Sequence, residues 1–182
     1  MRAYLLALVF AAFATASAAQ VVFSDMTVFE TRNGTISVVG GDLDNYIHFQ
    51  GELYEDLWGA RVWILGAIGR ADEAFDWVLI RRENGANGCF PLHTLLRVSA
   101  DGLAISPEFG HCVAEPMEMN VRAGAVDVIM SHPDASIASE RITFDGQTLT
   151  TERVTIPLPT TPAGAGADVT RWLGQHPFSI FD

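Results

Sequence analysis

Whatever chemistry this chain performs must come from five histidines, two cysteines and an excess of carboxylates. His48, His93, His111, His132 and His176 are the side chains able to move protons near neutral pH or to bind a metal through neutral imidazole. No two of them stand at the short spacing that places paired ligands on one element, so no metal site is expected. Asp72, Glu73 and Asp76 crowd one short stretch, and a carboxylate there beside a histidine would make the acid–base pair of a small hydrolase. The chain has no Gly-x-Ser-x-Gly, no His-Glu-x-x-His, no phosphate-cradling glycine loop and no dinucleotide fingerprint, so neither a catalytic signature nor a cofactor is read from it. Gly41-Asp42-Leu43-Asp44-Asn45 begins like a calcium loop, but Ile47 and Leu53 occupy the positions where that loop needs Gly and Glu; a polar turn is expected. Asn33-Gly34-Thr35 matches a glycosylation acceptor, and a hairpin turn explains the same residues without sugar.

The first residues decide the compartment in which the cysteines are read. Arg2 precedes an apolar run from Leu5 to Phe13, and small residues follow through Ala16-Ser17-Ala18-Ala19. One positive charge, an apolar core well short of the roughly 20 residues of a spanning helix, and a small-residue site form a cleavable secretory signal over residues 1–19, cut after Ala18 or Ala19. A periplasmic or secreted protein is expected, with no stable membrane insertion. In an oxidising compartment, Cys89 and Cys112 are expected to form one disulfide. Closing that loop would contribute about 3.5 kcal/mol in the chain-entropy account. His93 and His111 lie close in sequence to the two cysteines, which makes them, with Asp76, the candidates for a functional site.

Charge narrows the partners. The chain has 22 acidic residues and 11 arginines with no lysine; once Arg2 leaves with the signal, 10 arginines against 22 carboxylates give a mature charge of −12. Such a protein repels phosphate backbones and anionic head groups, so nucleic acid is excluded and a cationic envelope protein is the favoured macromolecular partner.

The elements that position these groups read as β-strands. Asn33-Gly34, Asp101-Gly102 and Asp145-Gly146 each lie between alternating apolar runs, the strongest short-range hairpin signal. Two-residue turns there would place Phe29 opposite Val38, Val98 opposite Ile105 and Ile142 opposite Leu149. Tyr46 to Phe49, Arg61 to Ile68, Trp77 to Arg81 and Val126 to Met130 read as further strands, and the nearly continuous apolar run from Val62 to Ile68 suits a strand covered on both faces. Glu52 to Gly59 is expected to hold one or two helical turns, with Leu53 and Leu57 inward. The fold class is therefore all-β and mainly antiparallel, a β-sandwich or partly open barrel over residues 20–156. Residues 157–182 read as a Pro/Gly linker and a short C-terminal helix capped by Asp168 and docked on the domain.

The stretch Asp76-Trp77-Val78-Leu79-Ile80, then Asn87-Gly88-Cys89, Phe109-Gly110-His111-Cys112 and Phe144-Asp145-Gly146 resembles a group of uncharacterised small exported bacterial proteins with a Gly-Cys and Phe-Gly-x-Cys pair of elements. The resemblance spans about residues 60 to 150 and implies secretion, a disulfide and β structure, with no activity attached. Phe90 departs from the Cys-Pro pairing of that group. Taken together, the residues point to a non-catalytic periplasmic binding or interaction module, in the manner of hydrolase inhibitors. A small envelope hydrolase, or an envelope structural or immunity protein, is the alternative.

Overall fold

A computed structural model of the chain describes residues 21–85, 92–111, 114–131 and 139–155. The expected signal segment, Cys89, Cys112, His132, His176, and the linker with its C-terminal helix lie outside these residues. The described residues form strands and no helix. Strands β1 (Val28–Thr31), β2 (Gly34–Gly41), β3 (Asp44–Phe49) and β4 (Glu52–Gly59) make one antiparallel sheet in chain order. Strands β5 (Arg61–Ile68), β6 (Asp76–Glu83), β7 (Leu92–Ser99) and β8 (Gly102–Ile105) make a second. Strands β9 (Pro116–Arg122), β10 (Ala125–Met130), β11 (Ser139–Phe144) and β12 (Leu149–Val154) make a third. Each sheet is an open meander, so the architecture is sandwich-like, with no closed barrel among the described residues.

The middle sheet is covered on both faces, and its sequence shows why. Side chains alternate across a strand, so Trp77 and Leu79 of β6 point one way while Val78 and Ile80 point the other. Trp77, Leu79 and Leu95 pack with Met119, Val126, Val128, Ile142 and Phe144 of the third sheet. Val78, Ile80, Leu96 and Val98 pack with Ile36, Ile47, Phe49 and Leu57 of the first. The two cores account for the unbroken apolar run in β5. Alternation puts Ile64 in the core with the first sheet and Leu65 in the core with the third, and the register shift between Ile64 and Gly66 then swaps the faces, so that Ala67 packs with the first core and Ile68 with the other.

All three expected hairpins form, with registers that differ from simple two-residue turns on the signal dipeptides. Thr31 pairs with Gly34 and Phe29 with Ile36; Ser99 pairs with Gly102 and Val98 with Leu103. The turn residues are therefore Arg32-Asn33 and Ala100-Asp101, and each glycine opens the returning strand, at φ 130° and 118°. Only glycine takes such angles without strain, which is why it sits one position later than assumed. At the third hairpin Phe144 pairs with Leu149 and Ile142 with Thr151. Asp145 Oδ1 accepts hydrogen bonds from the Gln147 and Thr148 amides and so lengthens the loop to four residues.

The helical expectation for Glu52 to Gly59 is corrected: this segment is strand β4. Gln50 and Gly51, at φ 51° and 83°, turn the chain back so that His48 pairs with Leu53 and Ile47 with Tyr54. Leu57 is buried, but Leu53 faces outward, because in a strand residues four apart share a face only where the register is unbroken, and here it shifts.

Candidate functional site

Asp76, at the start of β6, is the buried carboxylate among the candidates. Its Oδ2 accepts from the Arg32 backbone N–H and its Oδ1 from Arg32 Nε, both at 2.8 Å. Arg32 belongs to the β1–β2 turn, and its Nη1 also donates to the Arg70 carbonyl at 2.8 Å and to the Glu73 carbonyl. Asn33 Nδ2 adds bonds to the carbonyls of Ala74 and Val98. The hairpin turn thus clamps the first sheet to the loop before β6. Gly69 makes the clamp fit: a Cβ there would lie 2.0 Å from Asp76 Oδ1 and 2.5 Å from Arg32 Nη2. Asp76→Ala strips the acceptor from the Arg32 amide and from a guanidinium that retains some solvent, so a loss of about 2 kcal/mol in urea unfolding is expected, with Asp76→Asn losing less.

The neighbouring carboxylates are also held by arginines and backbone. Arg70 pairs with Asp72 at 2.6 Å, which lowers the Asp72 carboxyl below its ordinary range, and lies 3.7 Å from Glu73. Glu73 Oε1 accepts the Gly124 amide at 2.7 Å and so ties the loop to the β9–β10 turn of the third sheet.

His93 and His111 have different surroundings. His93 on β7 is fully buried, and neither ring nitrogen has a hydrogen-bond partner among the described residues. Its ring stacks on Phe109 with centroids 6.0 Å apart, and the two backbones exchange hydrogen bonds of 2.9 and 3.0 Å. Arg81 is its cross-strand neighbour. Burial above all, and then the charge of Arg81, push the imidazole down to about 4, so it is neutral across the physiological range. Arg81 itself pairs with Asp25 at 3.0 Å, approaches Glu115 at 3.8 Å and lies 4.5 Å over the Trp63 ring. His111 follows Phe109 by two residues, is half exposed, and contacts Glu140 of β11 at 3.2 Å. The His93–Phe109 bridge thus draws the two histidine segments together, while one ring enters the core and the other meets a carboxylate of the third sheet.

An open cleft of about 450 Å³ runs beside the start of the described chain, lined by Val21, Val22, Met26, Phe29 and Ile68 among others. None of its lining residues titrates, and Gly69, which packs against Asp76 and Arg32, forms part of its wall. Among the described residues no group of His, Cys, Asp and Glu is placed to hold a metal ion, and no helix is long and apolar enough to cross a membrane.

One feature of the first sheet carried no signal in the sequence beyond its alternation. Its outer face presents Val28, Val39, Leu53 and Trp58 to solvent, with Trp58 Nε1 donating to Asp44 Oδ1 at 2.7 Å. The nearby Asp44 carboxylate as an acceptor for the Tyr46 hydroxyl, then burial and the charges of Asp44 and Glu55, raise the phenol above its ordinary value. Once β4 is read as a strand, these residues share one surface. The helical reading had dispersed them.

Fold and site together define an all-β protein of three stacked antiparallel sheets, with its candidate acid–base groups built into structural ion pairs or the core. No family model, no curated protein and no solved structure matches the chain.

Proposed function

We propose that this chain is exported, loses residues 1–18 or 1–19, joins Cys89 to Cys112, and works as a non-catalytic binding module for a cationic protein of the cell envelope. The observation that carries the binding reading is the engagement of the carboxylates a hydrolase would use: Asp76 by Arg32 and Asp72 by Arg70. A general base must be free to take a proton from substrate, and a carboxylate held by a guanidinium is a poor one. The acidic excess supports a cationic partner, whose approach it would accelerate.

Export has a direct test. Mass spectrometry of protein recovered from its host's envelope should give a start at Ala19 or Gln20, and thiol labelling after non-reducing denaturation should find no free cysteine. An intact Met1, or two reactive thiols, would refute that part.

For binding, a basic lysozyme serves as the probe of a cationic wall hydrolase. Its association rate with the mature protein should fall about tenfold between 10 and 150 mM salt, as the Debye length shrinks from about 30 to about 8 Å. No association at 10 mM salt, together with release of soluble fragments from purified cell wall, would replace the binding module with the hydrolase.

A further inference from the structure

The net charge of the chain is not spread evenly over its three sheets. Residues 28–59, which form the first sheet, hold Glu30, Asp42, Asp44, Glu52, Glu55 and Asp56 against a single arginine, Arg32. That arginine is turned away to Asp76 of the middle sheet. Residues 61–105, which build the middle sheet, balance five arginines with five carboxylates.

The outer faces of the two flanking sheets differ in kind. On the third sheet Asp127 bonds Thr143 and pairs with Arg122 at 3.1 Å, and Arg141 pairs with Glu152 at 3.3 Å. Two carboxylates of that face are thus paired with arginines, and Glu118 beside them accepts from Asn120 Nδ2. On the first sheet the register lines up Val28, Ser37, His48 and Leu53 across four strands, with Val39 opposite Tyr46 in the next row. Val28 is 55% exposed, Leu53 43%, Trp58 40% and Val39 37%. Among the described residues no arginine lies on this face. Carboxylates occupy the same surface: Glu30 two residues from Val28 on β1, Asp44 beneath the Trp58 indole, and Glu55 near Tyr46. An apolar and aromatic surface of this sort is costly to leave in water, and here it is set in uncompensated negative charge.

Resting on the binding-module reading, we infer that the outer face of β1–β4 is the docking surface, and that its occupant is a basic segment of the partner protein in which arginine or lysine alternates with apolar residues. The apolar side chains cover Val39, Leu53 and Trp58. The cationic ones reach Asp44 and Glu55 and lay their aliphatic stems and charges against the Trp58 and Tyr46 rings. Charge complementarity selects this occupant: a second copy of the chain would bring another Glu30, Asp44 and Glu55 to the same face.

The test uses the mature full chain with two probes, a basic lysozyme and an alternating (Arg-Val)4 peptide, at 10 mM salt. Two pairs of substitutions remove equal charge: D44N with E55Q on the first sheet, and E118Q with E152Q on the third. A third variant, W58A with Y46A, removes one exposed and one half-buried ring without touching charge, and W58A alone, at the exposed position, repeats the test with an unfolding midpoint expected near that of the parent. The expected result is at least tenfold weaker binding of both probes by D44N/E55Q and by W58A/Y46A, and less than a twofold change for E118Q/E152Q. Equal losses from the two charge pairs would overturn the docking face and leave the cationic-partner reading standing. Absence of binding by the parent protein to both probes would overturn both. Salt-insensitive binding of soluble cell-wall glycan that W58A/Y46A abolishes would make the occupant a sugar and overturn the inference.

Discussion

Trp77→Ala should destabilise the protein by about 3–5 kcal/mol, more than any surface change and enough to threaten folding at a typical stability of roughly 5–15 kcal/mol. Trp77 is fully buried at the start of β6 and faces the third sheet. Its ring meets Phe75 edge-on at 5.4 Å and Phe144 edge-on at 5.8 Å. Truncation leaves a cavity between Phe144 of β11 and Phe75, which directly precedes β6, so both the transfer and the cavity contributions are lost. Trp77→Phe keeps a ring between these partners and removes an indole N–H that has no acceptor among the described residues; a loss of about 1 kcal/mol is expected. Urea unfolding of the two variants gives the comparison. A Trp77→Ala loss under about 1.5 kcal/mol would mean that the middle and third sheets do not share this core.

Acid should cost the protein about 3 kcal/mol through His93 alone. The imidazole is fully buried and held down to about 4, against an ordinary value of 6.5. Above pH 6.5 the ring is neutral in both folded and unfolded chains, and the stability is complete. Between 6.5 and 4 the unfolded chain takes up a proton that the folded chain refuses, so stability falls as pH falls, by about 1.4 kcal/mol per unit of separation. The charged group beside the ring is Arg81, which itself pairs with Asp25 and approaches Glu115. Burial pushes the Glu115 carboxyl up, which acts in the opposite sense, as the folded chain binds that proton more readily. His93→Phe isolates the histidine: a phenyl ring stacks on Phe109 as the imidazole does and cannot be protonated. Urea midpoints at pH 7 and pH 4 should show a steep loss for the parent and a much shallower one for the variant. Parallel losses would place the acid sensitivity elsewhere.

The sequence by itself determined that this is an all-β chain, because alternation, β-branched residues and Gly-containing turns are local properties that report directly on the backbone. It identified the strand buried on both faces from the composition of Val62 to Ile68, and the hairpins from Asn33-Gly34, Asp101-Gly102 and Asp145-Gly146. The hairpin registers were beyond it. A turn dipeptide marks where the chain reverses, but which residues face each other depends on where the positive-φ glycine falls and on side-chain bonds such as those of Asp145. Glu52 to Gly59 was misread because Leu53 and Leu57 satisfy helical spacing, and only pairing with β3 made the segment a strand. The roles of Asp76 and His93 were likewise decided by tertiary structure. Arg32 lies 44 residues from Asp76, and nothing local says that a hairpin turn will fold back to hold that carboxylate. His93 alternates with Leu92 and Thr94 as an ordinary strand residue would; its neutrality follows from the third dimension, where a sheet and Phe109 close over it and water is excluded. Net charge was legible by counting, but its concentration in one sheet required knowing that residues 28–59 form a single sheet whose lone arginine is spent on its neighbour.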